Sequence, residues 1–254
     1  MKNLRYLVFI TVLSVFFIGI QSAAQAGIPS PSLYDLQVGN VTSITAGNLL
    51  FDQWSVGIDG IPDGDRLSDV DGMTEVFPNL ADILVIPLND GGLDPGPGLR
   101  FSAGNAALDV SSGEYIHLLF GFRVSTIDDL LIKDNSLAIT DAFITNLNFN
   151  GMSIAENIFD AAGNSIGDKY VEFAFMDDVI LNITDSASFS PTNMIYVTKE
   201  ILLWAYESPG LTASLTGFNQ RFSQTAPVPE PATMLLLGTG LVGVAGAARR
   251  KRNK

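Results

Sequence analysis

The chain has 254 residues, 47% of them hydrophobic, with 27 acidic and 14 basic side chains, one histidine and no cysteine. That inventory excludes disulfides, cysteine-built zinc sites and histidine clusters. The formal net charge of −13 argues against nucleic acid as a partner, because phosphate binding needs a basic footprint.

The amino end reads as a secretory signal peptide over residues 1–26. Lys2 and Arg5 form a positive n-region, Leu7 to Ile20 an apolar h-region, and Ala24-Gln25-Ala26 a small-residue site with cleavage expected before Gly27. The partners this segment implies are the Sec translocon and signal peptidase. Residues 27–226 then form the exported domain, with seven basic and 26 acidic residues, a formal charge near −19. Such a surface suits divalent cations, basic partners or solubility outside the cell.

From Leu33 onward apolar residues recur at period two or in short runs, broken by Gly, Pro, Asn and Asp. This pattern predicts strands near 33–39, 48–58, 83–88, 99–101, 106–110, 115–125, 136–149, 152–159, 169–176, 179–185, 194–206 and 211–218. Asn150-Gly151 lies between two such runs and predicts a type I′ hairpin turn. In the run from Lys169, Tyr170 and Glu172 are expected to face away from Val171, Phe173 and Phe175. Many short strands without βα alternation indicate an all-β domain, a jelly-roll-like antiparallel β-sandwich.

Four groups of residues suggest chemistry. The loop carrying Asp59, Asp63, Asp65, Asp69, Asp71 and Glu75 interleaves carboxylates with glycine. It is a candidate calcium site, since calcium takes about six to eight oxygen ligands; a solvated acidic loop is the plain alternative. Glu114 and His117 form E-x-x-H, but strand spacing puts them on opposite faces, which argues for a structural or surface histidine. Glu156, Glu172 and Glu200 are the carboxylates from which a glycoside hydrolase pair would be drawn, though nothing pairs them. Trp54, Trp204, Tyr196 and Tyr206 could form an aromatic platform for polysaccharide, or else fill the core.

The carboxyl end, residues 227–254, has three parts. Val228-Pro229-Glu230-Pro231 is a rigid extended segment, because neither proline continues a helix. Ala232 to Ala248 is an uncharged run of seventeen residues, about 25 Å long as a helix and enough to span a membrane at the low end. Arg249-Arg250-Lys251-Arg252 begins a basic tail, 249–254, that should remain cytoplasmic and leave Glu230 outside.

This order of tetrapeptide, short Leu/Gly/Ala helix and basic cluster resembles the PEP-CTERM sorting signal of Gram-negative bacteria. The resemblance implies that exosortase, a membrane-embedded cysteine transpeptidase, cleaves near the motif and releases the protein to the surface or the extracellular polysaccharide matrix. More loosely, Gly47 to Trp54, Leu99-Arg100-Phe101, Leu118 to Ile127 and Ile154-Ala155-Glu156 resemble a single-domain group found upstream of that signal. That likeness implies a β-sandwich without established activity. The sequence therefore predicts an exported, non-enzymatic protein, anchored transiently in the inner membrane by its C-terminal helix. Its expected role is structural or adhesive, in a polysaccharide-rich envelope or biofilm. The alternatives are a calcium- or glycan-binding module and, less favoured, a carboxylate-based glycoside hydrolase.

Overall fold

The computed structural model describes residues 30–57, 72–145, 149–176, 178–227 and 239–241. The expected signal peptide, Asp59 to Asp71 of the acidic loop, and the segment from Val228 to Pro231 with the basic cluster lie outside them. Glu75, the last carboxylate of that loop, sits on a two-residue strand. Among the described residues no helix is long and apolar enough to cross a membrane. Of the run 232–248 only 239–241 are described, and these are helical.

The strands are β1 (Ser43–Ala46), β2 (Leu49–Gly57), β3 (Thr74–Glu75), β4 (Ile83–Leu88), β5 (Gly98–Ala103), β6 (Asp109–Ser111) and β7 (Glu114–Thr126). They continue with β8 (Leu131–Thr145), β9 (Asn150–Phe159), β10 (Ser165–Phe175), β11 (Val179–Asn182), β12 (Thr184–Thr192), β13 (Met194–Ala205) and β14 (Thr212–Thr225). Eight form one sheet in the order β1-β2-β7-β13-β9-β10-β11, with β3 added beside β7. Six form the other in the order β12-β8-β14-β5-β4, with β6 beside β14. Among the described residues every pairing is antiparallel apart from the parallel β3–β7 pair. The two-sheet antiparallel β-sandwich read from the sequence is the fold.

Two local expectations need correction. Residues 33–39 are not a strand: Leu33–Gln37 form one helical turn, α1. Ser32 caps it, its hydroxyl accepting from Asp35 N while the Asp35 carboxylate accepts from Ser32 N. This reciprocal cap outweighs the strand-like apolar pattern, and the spacing of three buries both Leu33 and Leu36. Nor is Asn150-Gly151 a hairpin turn, since both residues already belong to β9, and β8 and β9 lie in different sheets. Asn150 is buried and donates its side-chain amide to the Thr145 and Thr212 carbonyls, tying down the crossover. Gly151 is needed for close approach. A Cβ there would stand 2.5 Å from Ala174 Cβ and 2.8 Å from the Trp204 ring. The tight two-residue turn is instead Gly47-Asn48 between β1 and β2, with Gly47 at φ 58°.

Between the sheets lies one apolar core fed by alternate residues of each strand. Toward β2 and β7 it is aromatic: Phe101 stacks on Phe218 with centroids 4.6 Å apart, and Phe51 lies 6.0 Å from Phe122 and 5.6 Å from Phe222. Toward β13, β9 and β10 it is polar, as described next.

Candidate functional site

Strand parity sends Ile154, Glu156 and Ile158 of β9 inward together, as it does Val197, Lys199 and Ile201 of β13 and Lys169 and Val171 of β10. Glu156 is the register partner of Lys169 on one side and of Lys199 on the other. A lysine, a glutamate and a lysine thus lie in line across three neighbouring strands, with side chains wholly buried. The facing sheet supplies Asn135 from β8 and Gln220 from β14, both fully buried.

The Glu156 carboxylate is the hub. Its Oε1 accepts from Asn135 Nδ2 at 2.7 Å, from Gln220 Nε2 at 2.9 Å and from Lys169 Nζ at 2.5 Å. Its Oε2 accepts from Lys199 Nζ. Lys169 Nζ also donates to Asn135 Oδ1, and Lys199 Nζ lies 5.7 Å from the Phe218 ring centre. Burial pushes the Glu156 carboxyl up, but Lys199 and Lys169 together bring it below the usual range. Burial dominates for both lysines and lowers them, Lys169 to about 8 even with Glu156 beside it. Two amines share one carboxylate, so one of them lacks a full counter-charge, and Lys169 loses its proton more easily than a free lysine.

A second group of polar side chains occupies the outer face of the eight-stranded sheet. Across β7, β13, β9 and β10 the register aligns Tyr115, Trp204, Gly151 and Ala174 in one row. The next row holds His117, Leu202, Ser153 and Glu172, and the row after it Leu119, Glu200, Ala155 and Tyr170. His117 Nε2 hydrogen-bonds Glu200 Oε1 at 2.8 Å. That bond is the main reason the Glu200 carboxyl lies below its usual range. The Tyr170 phenol is pushed up by burial and by the nearby Glu172 and Glu200, with Ser153 opposing. Farther along, Arg123 grips Asp52 through two hydrogen bonds of 2.7 and 2.6 Å, beside Tyr196.

The predicted site residues are dispersed by this geometry. Glu156 is sealed between the sheets, while Glu172 and Glu200 lie on the outer face. His117 and Glu114 part as strand spacing requires, with Glu114 accepting from Ser111 N at 2.8 Å. Trp204 and Tyr196 do share the outer face, and Tyr206 beyond the strand end pairs with Phe149 at 6.4 Å. Trp54 leaves that set. A bulge at Gln53, φ 52°, reverses the parity of β2 and turns Trp54 onto core residue Phe122, 4.7 Å between ring centres. Among the described residues no three His, Asp or Glu side chains converge as metal ligands do.

Lys169, Lys199, Asn135 and Gln220 were not singled out by the sequence. Their signal was present nonetheless. Lys169 shares the parity of Val171 and Phe173, and Lys199 that of Val197 and Ile201, so each is a charge written into an apolar face.

Residues 227–252 match the PEP-CTERM protein-sorting motif. The chain is thereby marked as an exported protein processed by exosortase and held transiently in the membrane through its C-terminus. No curated protein matches the chain. Among solved structures, TmCBM61 in complex with beta-1,4-galactotriose is 14% identical, with 69% of this chain and 89% of that one covered and a TM-score of 0.27. The enzymatically active domain of bacteriophage CBA120 tailspike protein 4 is 12% identical over 78% of this chain and 22% of that one, at 0.23. The C-terminal domain of a chitobiase from Bacteroides fragilis is 11% identical over 58% and 96%, at 0.21. Scores this low transfer no ligand to this chain.

Proposed function

We propose that the sandwich is a non-catalytic surface module, delivered by exosortase to the cell surface or extracellular matrix of a Gram-negative bacterium. Its role there is structural or adhesive, within a polysaccharide-rich envelope or biofilm. The Sec translocon and signal peptidase serve its export. The sorting motif at 227–252 supports the route. What supports polysaccharide as the partner is the outer face of the eight-stranded sheet. There Trp204 is half-buried and Tyr170 is 45% exposed, beside Glu172, Glu200 and His117. Aromatic faces beside hydrogen-bonding side chains suit the alternating apolar and hydroxyl surfaces of sugar rings.

Affinity electrophoresis through gels containing the host's extracellular polysaccharide tests this reading. The chain should be retarded, and Trp204→Ala combined with Tyr170→Ala should migrate as in a plain gel. Equal retardation of variant and parent would remove the outer face from consideration. Release of new reducing ends from that polysaccharide would reverse the non-catalytic assignment. For the route, Glu230→Ala should leave the protein in the membrane fraction; normal release would overturn it.

A further inference from the structure

The buried cluster goes beyond that reading, because its contacts are those of a condensation and not only of an ion pair. An amine, a carboxamide and a carboxylate meet in a site closed to water. Lys169 Nζ donates to Asn135 Oδ1, so the amine has only to shift from that oxygen to Cγ, which is one C=O length (about 1.23 Å) from it. Glu156 Oε1 touches both the nitrogen that must lose a proton and the one that must gain it, Lys169 Nζ at 2.5 Å and Asn135 Nδ2 at 2.7 Å. Reactants held close together on paired strands have already lost most of the freedom that a bimolecular reaction would have to give up.

We propose that Lys169 and Asn135 become joined by an intramolecular isopeptide bond, with Glu156 as the catalytic residue that carries the proton. The neutral Nζ of Lys169 adds to Cγ of Asn135, and the carbonyl π pair moves onto Oδ1. Glu156 takes the proton released from Nζ and delivers it to Nδ2. The Cγ–Nδ2 bond breaks, the carbonyl re-forms, and one molecule of ammonia leaves. No oxidant or cofactor is needed. Burial raises the share of neutral amine, since Lys169 is lowered to about 8.

Lys199 is not the nucleophile. Its Nζ rests on Glu156 Oε2, and Gln220 Oε1, the other buried carboxamide oxygen at the hub, accepts no hydrogen bond. Lys199 instead holds the second oxygen of Glu156, keeping Oε1 turned toward the reacting pair. The product would be a covalent staple between β10 of one sheet and β8 of the other, in an exported chain that has no cysteine. The event happens once per molecule and does not make the protein a turnover enzyme.

Intact mass and peptide mapping of the chain purified from its host provide the test. The expected result is a mass lower by one ammonia, about 17 Da, and a branched peptide joining Lys169 to Asn135. In Glu156→Gln the two linear peptides should return. Should that variant fail to fold, the unaltered chain still decides, by acetylation after denaturation. Every lysine should be labelled except Lys169. An unmodified linear Asn135 peptide with an acetylated Lys169 would overturn the proposal, and so would a deamidated Asn135. A branch through Lys199 or Gln220 would overturn the assignment of the pair. Persistence of the branch in Glu156→Gln would remove Glu156 from its role.

Discussion

The space between the sheets is filled in two different ways. Under β2 and β7, phenylalanines from both layers interlock; under β13, β9 and β10, four polar side chains converge on one carboxylate. The aromatic side holds by area and dispersion, which tolerate gradual change. The polar side holds by specific pairing around Glu156, and a buried charge that loses its partner costs several kcal/mol. The two sides meet where Lys199 lies over the Phe218 ring. The molecule therefore has one core with two failure modes.

Substitutions that strike one side at a time separate them. The largest loss of stability is expected from Glu156→Ala, because two buried lysines lose the carboxylate they share. Denaturant unfolding should register at least the ~3–5 kcal/mol typical of a broken buried pair. Phe101→Ala on the aromatic side should cost about 3–5 kcal/mol by leaving a cavity against Phe218. Lys169→Met decides between the ionic and the covalent accounts of the polar side. If the cluster is only ionic, removing the surplus amine is neutral or stabilising. If the isopeptide bond forms, the same change opens a loop between residues 34 apart, and about 3–4 kcal/mol of closure entropy goes with it.

The pH dependence sharpens the same contrast. In Asn135→Ala, Lys169 stays a free amine, held near 8 in the folded chain against 10.5 ordinarily. Between those values the unfolded chain binds more protons, so stability rises with pH across that window, by up to about 3 kcal/mol. The parent chain, with Lys169 an amide, should show no such rise when the two are titrated side by side. The smallest effect belongs to Glu200→Gln. In the His117–Glu200 pair the histidine is buried but the glutamate side chain is 48% exposed, so removing the glutamate charge should cost no more than ~1 kcal/mol.

Much of the sandwich was legible from period-two runs. Ile83–Leu88 is a strand with the predicted bounds, and Met194–Ala205 differs by one residue. What the pattern missed has specific causes. The Leu33–Gln37 turn depends on a capping box between Ser32 and Asp35, which periodicity does not weigh. Asn150-Gly151 matches a hairpin dipeptide, yet its glycine answers to Trp204 and Ala174, contacts that exist only after the sheets have formed. The bulge at Gln53 reverses parity and moves Trp54 from the outer face to the core. Glu156 was noticed as a carboxylate but not as a hub. Its partners lie 13, 21, 43 and 64 residues away, and only strand order brings them together.

The sorting segment begins two residues beyond Thr225, the end of β14, and β14 is no edge strand. It runs between β8 and β5, hydrogen-bonded along both flanks. A pull applied at the carboxyl end therefore loads those bonds in shear, many at once, and does not unzip them singly. The strand that takes the load passes it to β8, where Asn135 faces Lys169 across the layer. With Asn135 and Lys169 joined, tension on the carboxyl end would pass by that line into the second sheet.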